Sequence, residues 1–430
     1  MKKLFLSGAS CIFFGSFVSL DCSAQFTVGA QLRTRTELRD GQGAPLPKGA
    51  KPALFTSQRT RLSAGYTTYR LKLGLTLQDT RVWGQDASTI NRTTTADNNG
   101  FLLHETWAEI LLTDTLIKNK SLSLKIGRQE LVYDDSRLLG NLDWLQQGRR
   151  HDAAVLKYKH NSWNFNAGGA FSQNKENASG TTYNPAPPGN YPANTNGAPQ
   201  YKSLEFLHIN KQTGKSSISL LFLADQFSKY SVDSLLVKKW EAASYNRITT
   251  GLYANIPFSK NNITAAVYYQ KGKNGEGKAV DGALFSVAYQ RSFTTSFSTE
   301  AGVDFTTDTF DPLYGTPHKF WGTMDYFYVA SKFGNNGLQD YYLKAKFRQN
   351  TKWAINADLH QFYSSSGLQF GTEADLTLQY NLTKAIAFEG GYSYFNSTAQ
   401  LAAAKNVPDA QYNNHWAYLM INIRPEIFIK

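Results

Sequence analysis

Basic residues recur at every second position in several otherwise apolar stretches of the chain. An extended strand sends alternate side chains to the same face, so this spacing builds rows of cations. The planar fork of arginine suits a carboxylate, which it pairs through two parallel hydrogen bonds. The spacing therefore indicates a surface that attracts an anionic solute. The residues concerned are Arg33, Arg35, Arg59, Arg61, Arg70, Lys72, Lys125, Lys344, Lys346 and Arg348.

Apolar residues fill the alternate positions of the same stretches. Leu71, Leu73 and Leu75 alternate with Lys72 and with small or polar residues. A charge that faces lipid in the middle of a bilayer costs about 2–4 kcal/mol. We therefore expect the basic face to line a wet lumen and the apolar face to contact lipid.

The elements that must carry these rows are strands joined by connections of alternating length. Short turns such as 350–352 and 381–384 alternate with long polar loops such as 132–151, 174–200 and 307–339. Outer-membrane barrels have short periplasmic turns and long extracellular loops. The pattern predicts an all-β fold, a transmembrane antiparallel β-barrel of about 18 strands. The predicted strands are 26–39, 55–66, 69–81, 102–112, 121–131, 152–160, 163–173, 201–211, 216–227, 246–256, 262–271, 282–290, 295–306, 340–348, 353–363, 370–380, 385–395 and 414–423.

The N-terminus is typical of a secretory signal peptide. Lys2 and Lys3 precede an uncharged apolar run, and small residues stand before a predicted cleavage site ahead of Gln25. We expect residues 1–24 to be the signal and 25–430 to be one barrel domain in the bacterial outer membrane. Both cysteines, Cys11 and Cys22, fall in the signal, which excludes cysteine-based metal or nucleophilic chemistry from the mature domain. The formal net charge of +12 then indicates anionic solutes or lipid, and secretion argues against nucleic acid.

Acidic residues also fall on predicted inward faces, and they leave two interpretations open. A basic wall in a low-dielectric tube concentrates anions. The same cations could instead pair with acids across the lumen and serve only to fill it. The inward acids are Glu300, Asp304, Asp358, Glu373, Asp375 and Glu389.

Several short motifs resemble the alginate export family of outer-membrane barrels. In chain order they are 79–84 (DTRVWG), 124–131 (LKIGRQEL), 135–140 (DSRLLG), Asp143-Trp144, 148–152 (GRRHD), 310–322 (FDPLYGTPHKFWG) and 324–326 (MDY). The resemblance implies an eighteen-stranded monomeric pore whose arginine-rich constriction passes a polyuronate outward. Carried over by position, it also implies a set of residues that lie near the extracellular strand ends, brace loops and line the constriction: Arg81, Arg128, Arg137, Arg149 and Asp152.

The predicted function is thus passive conduction of an anionic polysaccharide, without a cofactor, with outer-membrane lipid and possible periplasmic export partners as its surroundings. Three alternatives stay open: a general porin for small anions, a surface receptor or structural barrel, and an outer-membrane enzyme. The enzyme is disfavoured because none of the seven histidines accompanies a nucleophile motif. Adjacent Asp134 and Asp135 could bind a divalent cation, although no metal-ligand spacing supports a site.

Overall fold

The computed structural model describes residues 25–84, 101–114, 116–173, 178, 200–234, 237–327 and 336–429. The predicted signal, residues 85–100 and most of the predicted loop 174–200 lie outside the described residues. The strands are β1 Gln25–Asp40, β2 Ala53–Thr67, β3 Leu71–Val82, β4 Leu102–Leu111, β5 Lys120–Gln129, β6 His151–His160, β7 Trp163–Phe171, β8 Ser203–Thr213, β9 Ser216–Val232, β10 Lys238–Phe258, β11 Asn261–Lys273, β12 Ala279–Ser292, β13 Phe297–Thr306, β14 Leu338–Gln349, β15 Trp353–Tyr363, β16 Gln369–Asn381, β17 Ile386–Ser397, β18 Asn413–Ile423 and β19 Glu426–Ile429.

Each of the eighteen predicted strands is present, and together they close into an antiparallel barrel. β1 pairs with β2 on one side and with β18 on the other, which leaves no free edge. The short β19 continues the last strand beyond Pro425 and pairs with the start of β1. Proline has no backbone N–H to give to the ladder, which accounts for the interruption.

One short turn differs from the prediction in a way that moves a candidate residue. The sequence places Arg70 in the third strand, but β3 begins at Leu71 and Arg70 lies in the turn after β2. Arg70 is exposed there, with its guanidinium 5.5 Å from the ring centre of Tyr69.

The two faces of the strands separate as the alternation predicts. Leu73 and Leu75 of β3 and Leu343 and Phe347 of β14 are exposed on the outer surface. An exposed band of large apolar side chains is unfavourable in water and favourable against lipid. The band therefore marks the membrane-facing surface of the barrel. No helix among the described residues is long and apolar enough to cross a membrane.

Two loops of the barrel turn into its lumen. The loop between β5 and β6, residues 130–150, and the described part of the loop between β13 and β14, residues 307–327, both turn inward. Their buried apolar residues pack with one another and with inward strand residues into one cluster. A short helix, α1 Ala399–Ala404, packs beside them, with Leu401 in the same cluster. The loops therefore narrow the lumen on the side of the long connections. The cluster's loop members include Leu131, Leu138, Leu139, Phe310, Leu313, Tyr314, Trp321, Met324, Tyr326 and Phe327.

Candidate functional site: the lumen constriction

Four arginines of β1 and β2 form the centre of the site. Arg33 lies directly opposite Arg59 in the ladder, and Arg35 and Arg61 are the next inward residues on their strands. Like charges that face each other across two strands repel, so the arrangement needs an acceptor between them. Loop 130–150 supplies it.

The tip of loop 130–150 accepts most of the hydrogen bonds that these arginines donate. Arg33 donates from Nη1 to the backbone oxygen of Asp143 at 2.7 Å and from Nε to Oε1 of Gln146 at 2.9 Å. Arg35 donates to the backbone oxygen of Trp144 at 2.9 Å. Arg59 forms an ion pair with the Asp143 carboxylate at 2.9 Å. Arg33 and Arg59 therefore find their acidic partner in the loop, whereas Arg35 pairs with the buried Glu37 of its own strand at 2.9 Å.

Trp144 connects the two inward loops. Its indole stacks on the ring of His318 at 4.2 Å between ring centres, and the guanidinium of Arg35 lies 4.2 Å from the same indole. Trp416 and Tyr418 of β18 meet it edge-on. The tip of loop 130–150 is thus held between the barrel wall and the 3-10 turn Pro317–Lys319.

Arg137 and Arg149 hold the inward loops in place through their contacts. Arg137 is buried and contacts Asp304 of β13 at 2.5 Å and Asp135 at 3.2 Å. Arg149 is buried too, and its Nη1 donates to the backbone oxygens of Gly140 at 2.8 Å and Gly315 at 2.6 Å. One residue ties loop 130–150 to the wall, and the other ties it to loop 307–327.

The alternation places three predicted lining residues on the outer side. Arg128 is three positions from the inward Lys125, which puts it on the opposite face of β5. There it makes a two-pronged contact with Asp152 of β6, at 2.8 and 2.9 Å. Arg81 pairs with Asp79 near the end of β3. It lies three residues from the inward Gln78, so it too belongs to the outward face. The prediction that Arg81, Arg128 and Asp152 line the pore is wrong, because each has the parity of the outward face.

A second group of cations lies on the periplasmic side of the loops. Lys125 places its ammonium 3.9 Å from the ring centre of Trp107, and Lys72 stands opposite Glu109 in the ladder. Lys157, which the sequence analysis did not single out, pairs with the same Glu109 at 3.2 Å. These residues form a mixed wall with more basic than acidic groups.

The basic row of β14 faces inward as predicted. Lys344 lies 3.6 Å from Asp358 of β15, and Lys346 and Arg348 follow it towards the turn at 350–352. Arg348 is exposed, whereas Lys346 is half-buried. Lys319 of loop 307–327 donates to the backbone oxygen of Asp135, a cation for which the sequence offered no periodic signal.

Two residues of the constriction escaped the sequence analysis as site residues. Asp143 entered only as part of a motif, yet its carboxylate lies among the arginines. Arg424, in the break between β18 and β19, places Nη2 3.7 Å from the same carboxylate. Burial by itself would raise the pKa of the Asp143 carboxyl, but the guanidinium groups of Arg59 and Arg33 hold that pKa well below its ordinary value. Asp143 is therefore ionised.

The adjacent acids Asp134 and Asp135 turn to different partners. Asp134 accepts from Nε2 of His208 at 2.9 Å and from the hydroxyl of Ser219 at 2.5 Å. Asp135 pairs with Arg137. In a catalytic triad the histidine lies between the serine and the carboxylate. Here the Asp134 carboxylate lies between Ser219 and His208, so the histidine is not placed to activate the serine. In the described part of the chain, no three acidic, histidine or cysteine residues are grouped as metal ligands would be.

Several solved structures share this architecture. A BenF-like porin from Pseudomonas fluorescens Pf-5 matches at a TM-score of 0.63 and 10% identity, over 94% of this chain and 99% of that chain. OpdO from Pseudomonas aeruginosa matches at 0.62 and 11%, over 94% and 98%. OpdK from the same organism, solved with vanillate, matches at 0.56 and 10%, over 93% and 98%. At such identities the likeness shows the fold alone.

The closed barrel, its apolar outer band and its likeness to porin structures define an integral outer-membrane β-barrel. Residues 24–170 match the model of the alginate export family, which confirms the resemblance seen in the motifs. The motifs at 310–326 lie outside that match. No curated protein matches the chain by sequence.

Proposed function

We propose that this channel passively conducts an anionic polysaccharide, an alginate-like polyuronate, through its basic constriction. One observation carries the proposal: four guanidinium groups surround a single carboxylate at the tip of the lumen loop. The excess of positive charge in a narrow, low-dielectric passage raises the local concentration of anions. The family match over residues 24–170 supports a uronate as the anion.

In this proposal the predicted lining residues have two roles. While Asp143 is in place, Arg33, Arg35 and Arg59 are covered by loop 130–150, and they then shape the constriction and set its potential. The solute meets the residues that keep contact with the lumen water. We assign that role to Arg61, Arg424, Lys72, Lys346 and Arg348, all of which are exposed or half-buried.

Cations spaced along the lumen wall favour passage of the anionic solute over its tight binding at one site. Lys72 and Lys125 on one wall and Lys346 and Arg348 on another continue the positive potential from the constriction to the periplasmic mouth. Conduction requires sites that bind strongly enough to admit the solute and weakly enough to release it. Without an energy source in the chain's motifs, the net direction follows the solute gradient.

A channel for small organic anions is the second candidate. The inward loops 130–150 and 307–327 narrow the lumen, which favours a small solute over a polymer. OpdK, which shares the fold, has been solved with vanillate, a small aromatic carboxylate. Both candidates use the same basic constriction and differ in the size of the solute that it passes.

Single-channel recording of the refolded protein in planar bilayers separates these candidates. The polyuronate proposal predicts anion selectivity under a salt gradient and current blockade by oligouronate, with no blockade by neutral dextran of equal length. Blockade by glucuronate monomer alone would favour the small-anion channel. A barrel without conductance would instead favour a receptor or structural role.

A further inference from the structure

The carboxylate of Asp143 occupies a site built from four guanidinium groups. Oδ1 lies 2.9 Å from Arg59 and 3.5 Å from Arg61. Oδ2 lies 3.6 Å from Arg33 and 3.7 Å from Arg424. Only the contact with Arg59 is at hydrogen-bond distance. The carboxylate is therefore held mainly by the positive electrostatic potential of the four guanidinium groups and by few directional hydrogen bonds.

Other arginine–carboxylate pairs of the interior are built differently. Arg137–Asp304 and Arg247–Asp225 lie at 2.5 and 2.6 Å, and all four side chains are buried. Separating such pairs would strand a charge away from water. The Asp143 side chain is 38% exposed and that of Arg424 54%, although Arg59 behind them is fully covered. The Asp143 carboxylate can therefore leave its place and remain hydrated.

The arginines keep their positions without the help of this carboxylate. Arg33 is held by the backbone oxygens of residues 143–145 and by Gln146. Arg59 donates two hydrogen bonds to Oε1 of Gln31. Arg61 donates to Oε1 of Gln78 at 2.6 Å and contacts the ring of His104. The guanidinium groups of Arg33, Arg59 and Arg61 thus form a preorganised carboxylate site, with Arg424 at its exposed edge, and Asp143 is its resident anion.

We propose that Asp143 is a tethered competitor that an incoming solute carboxylate displaces as it passes the constriction. Rotation about its Cα–Cβ bond frees the four-arginine site, and the side chain returns when the solute leaves. Exchanging one carboxylate for another keeps the charge of the cluster constant. Without the competitor, four cations would hold an anion too long for rapid conduction. The inference rests on the proposed function and names the residue that sets how long the anion stays.

Asp143→Asn tests the exchange directly. The amide has the same size and removes the competing charge. In planar bilayers, we expect the chloride-over-potassium permeability ratio from the reversal potential to rise at least twofold. We also expect the residence time of oligouronate blockade to rise at least threefold. The matched control is Asp152→Asn, which removes the same charge on the outer face of β6 and is expected to change neither quantity.

Two outcomes would overturn the exchange. The first is an Asp143→Asn channel with the same permeability ratio and residence time as the wild type. The second is failure of both Asp143→Asn and Asp143→Ser to give a folded, heat-modifiable barrel, which would show that the carboxylate is structural. Failure of the proposed function looks different, because then oligouronate blocks neither the wild type nor the variant and neither channel prefers anions.

Discussion

At the scale of single residues, what a guanidinium group contacts decides which role it can play. Arg137 and Arg247 are buried against Asp304 and Asp225 and fix loops to the wall. Arg61 and Arg424 sit at the edge of the lumen and keep part of their surface in water. The same residue type therefore serves as an anchor in one place and as a solute contact in another.

Arg61→Gln is expected to lower anion selectivity without unfolding the barrel. Glutamine keeps a polar contact with Gln78 but removes one of the four charges around Asp143. The measurement is the reversal potential under a salt gradient. Arg128→Gln is the matched control, since Arg128 lies on the outer face and its exposed pair with Asp152 contributes only about 0–1 kcal/mol. Equal effects of the two substitutions would argue against the constriction as the selector.

Arg137→Met is expected to release loop 130–150 from the wall. Methionine fills much of the volume but leaves Asp304 buried without its cation, a change that costs about 3–5 kcal/mol. We expect faster proteolysis within residues 130–150 and larger fluctuations of the open-channel current. An unaltered protease pattern would show that Arg149 and Trp144 hold the loop by themselves.

At the scale of elements, the helix α1 and the residue after it connect one extracellular loop to another. Lys405 donates from Nζ to the backbone oxygen of Tyr326, and its ammonium lies 5.7 Å from the ring centre of Phe327. Burial lowers the pKa of Lys405 to about 7 from its ordinary 10.5. The folded loop thus holds fewer protons than the unfolded one between these two values.

This lowered pKa predicts a local pH dependence. Stability rises with pH wherever the unfolded state binds more protons, so the packing of α1 should strengthen as pH rises from 7 towards 10. Below pH 7 Lys405 is protonated in the folded state as well. The full free-energy cost of burying its ammonium group then destabilises the packing of α1. Hydrogen exchange of residues 399–404, corrected for intrinsic rates, should slow over this range. In Lys405→Met the extra slope should vanish, and its persistence would point to another group.

The elements also show how far the sequence could be interpreted without coordinates. Period-two alternation fixed the strands and the inward rows of β1, β2 and β14, because burial acts on every second side chain. The same alternation places Arg128 on the outer face, because it lies three residues, an odd number, from the inward Lys125. The contacts of Arg33 with loop 130–150 had no such signal, since the path of a loop inside a lumen follows from tertiary packing and not from periodicity.

At the scale of the whole molecule, the chain has a strong excess of basic residues, and the outer band of its barrel is apolar. The formal net charge of the chain is +12. Part of this positive charge lies in the lumen on exposed and half-buried side chains, among them Arg61, Lys72, Arg348 and Arg424. Charges at such positions act over distance on a passing ion, whereas buried pairs such as Arg247–Asp225 largely cancel. The lumen potential is therefore a property of the exposed set.

That potential should be screened by salt, which gives a test of the electrostatic account as a whole. The Debye length falls from about 10 Å at 0.1 M to about 3 Å at 1 M ionic strength. We expect the anion preference of the wild-type channel, measured as the reversal potential at a fixed salt ratio, to be strong near 0.1 M and to approach zero near 1 M. A preference that does not change with salt would mean that selection depends on direct contacts in the constriction, where Asp143 and Arg61 meet the ion, and not on the field of the lumen.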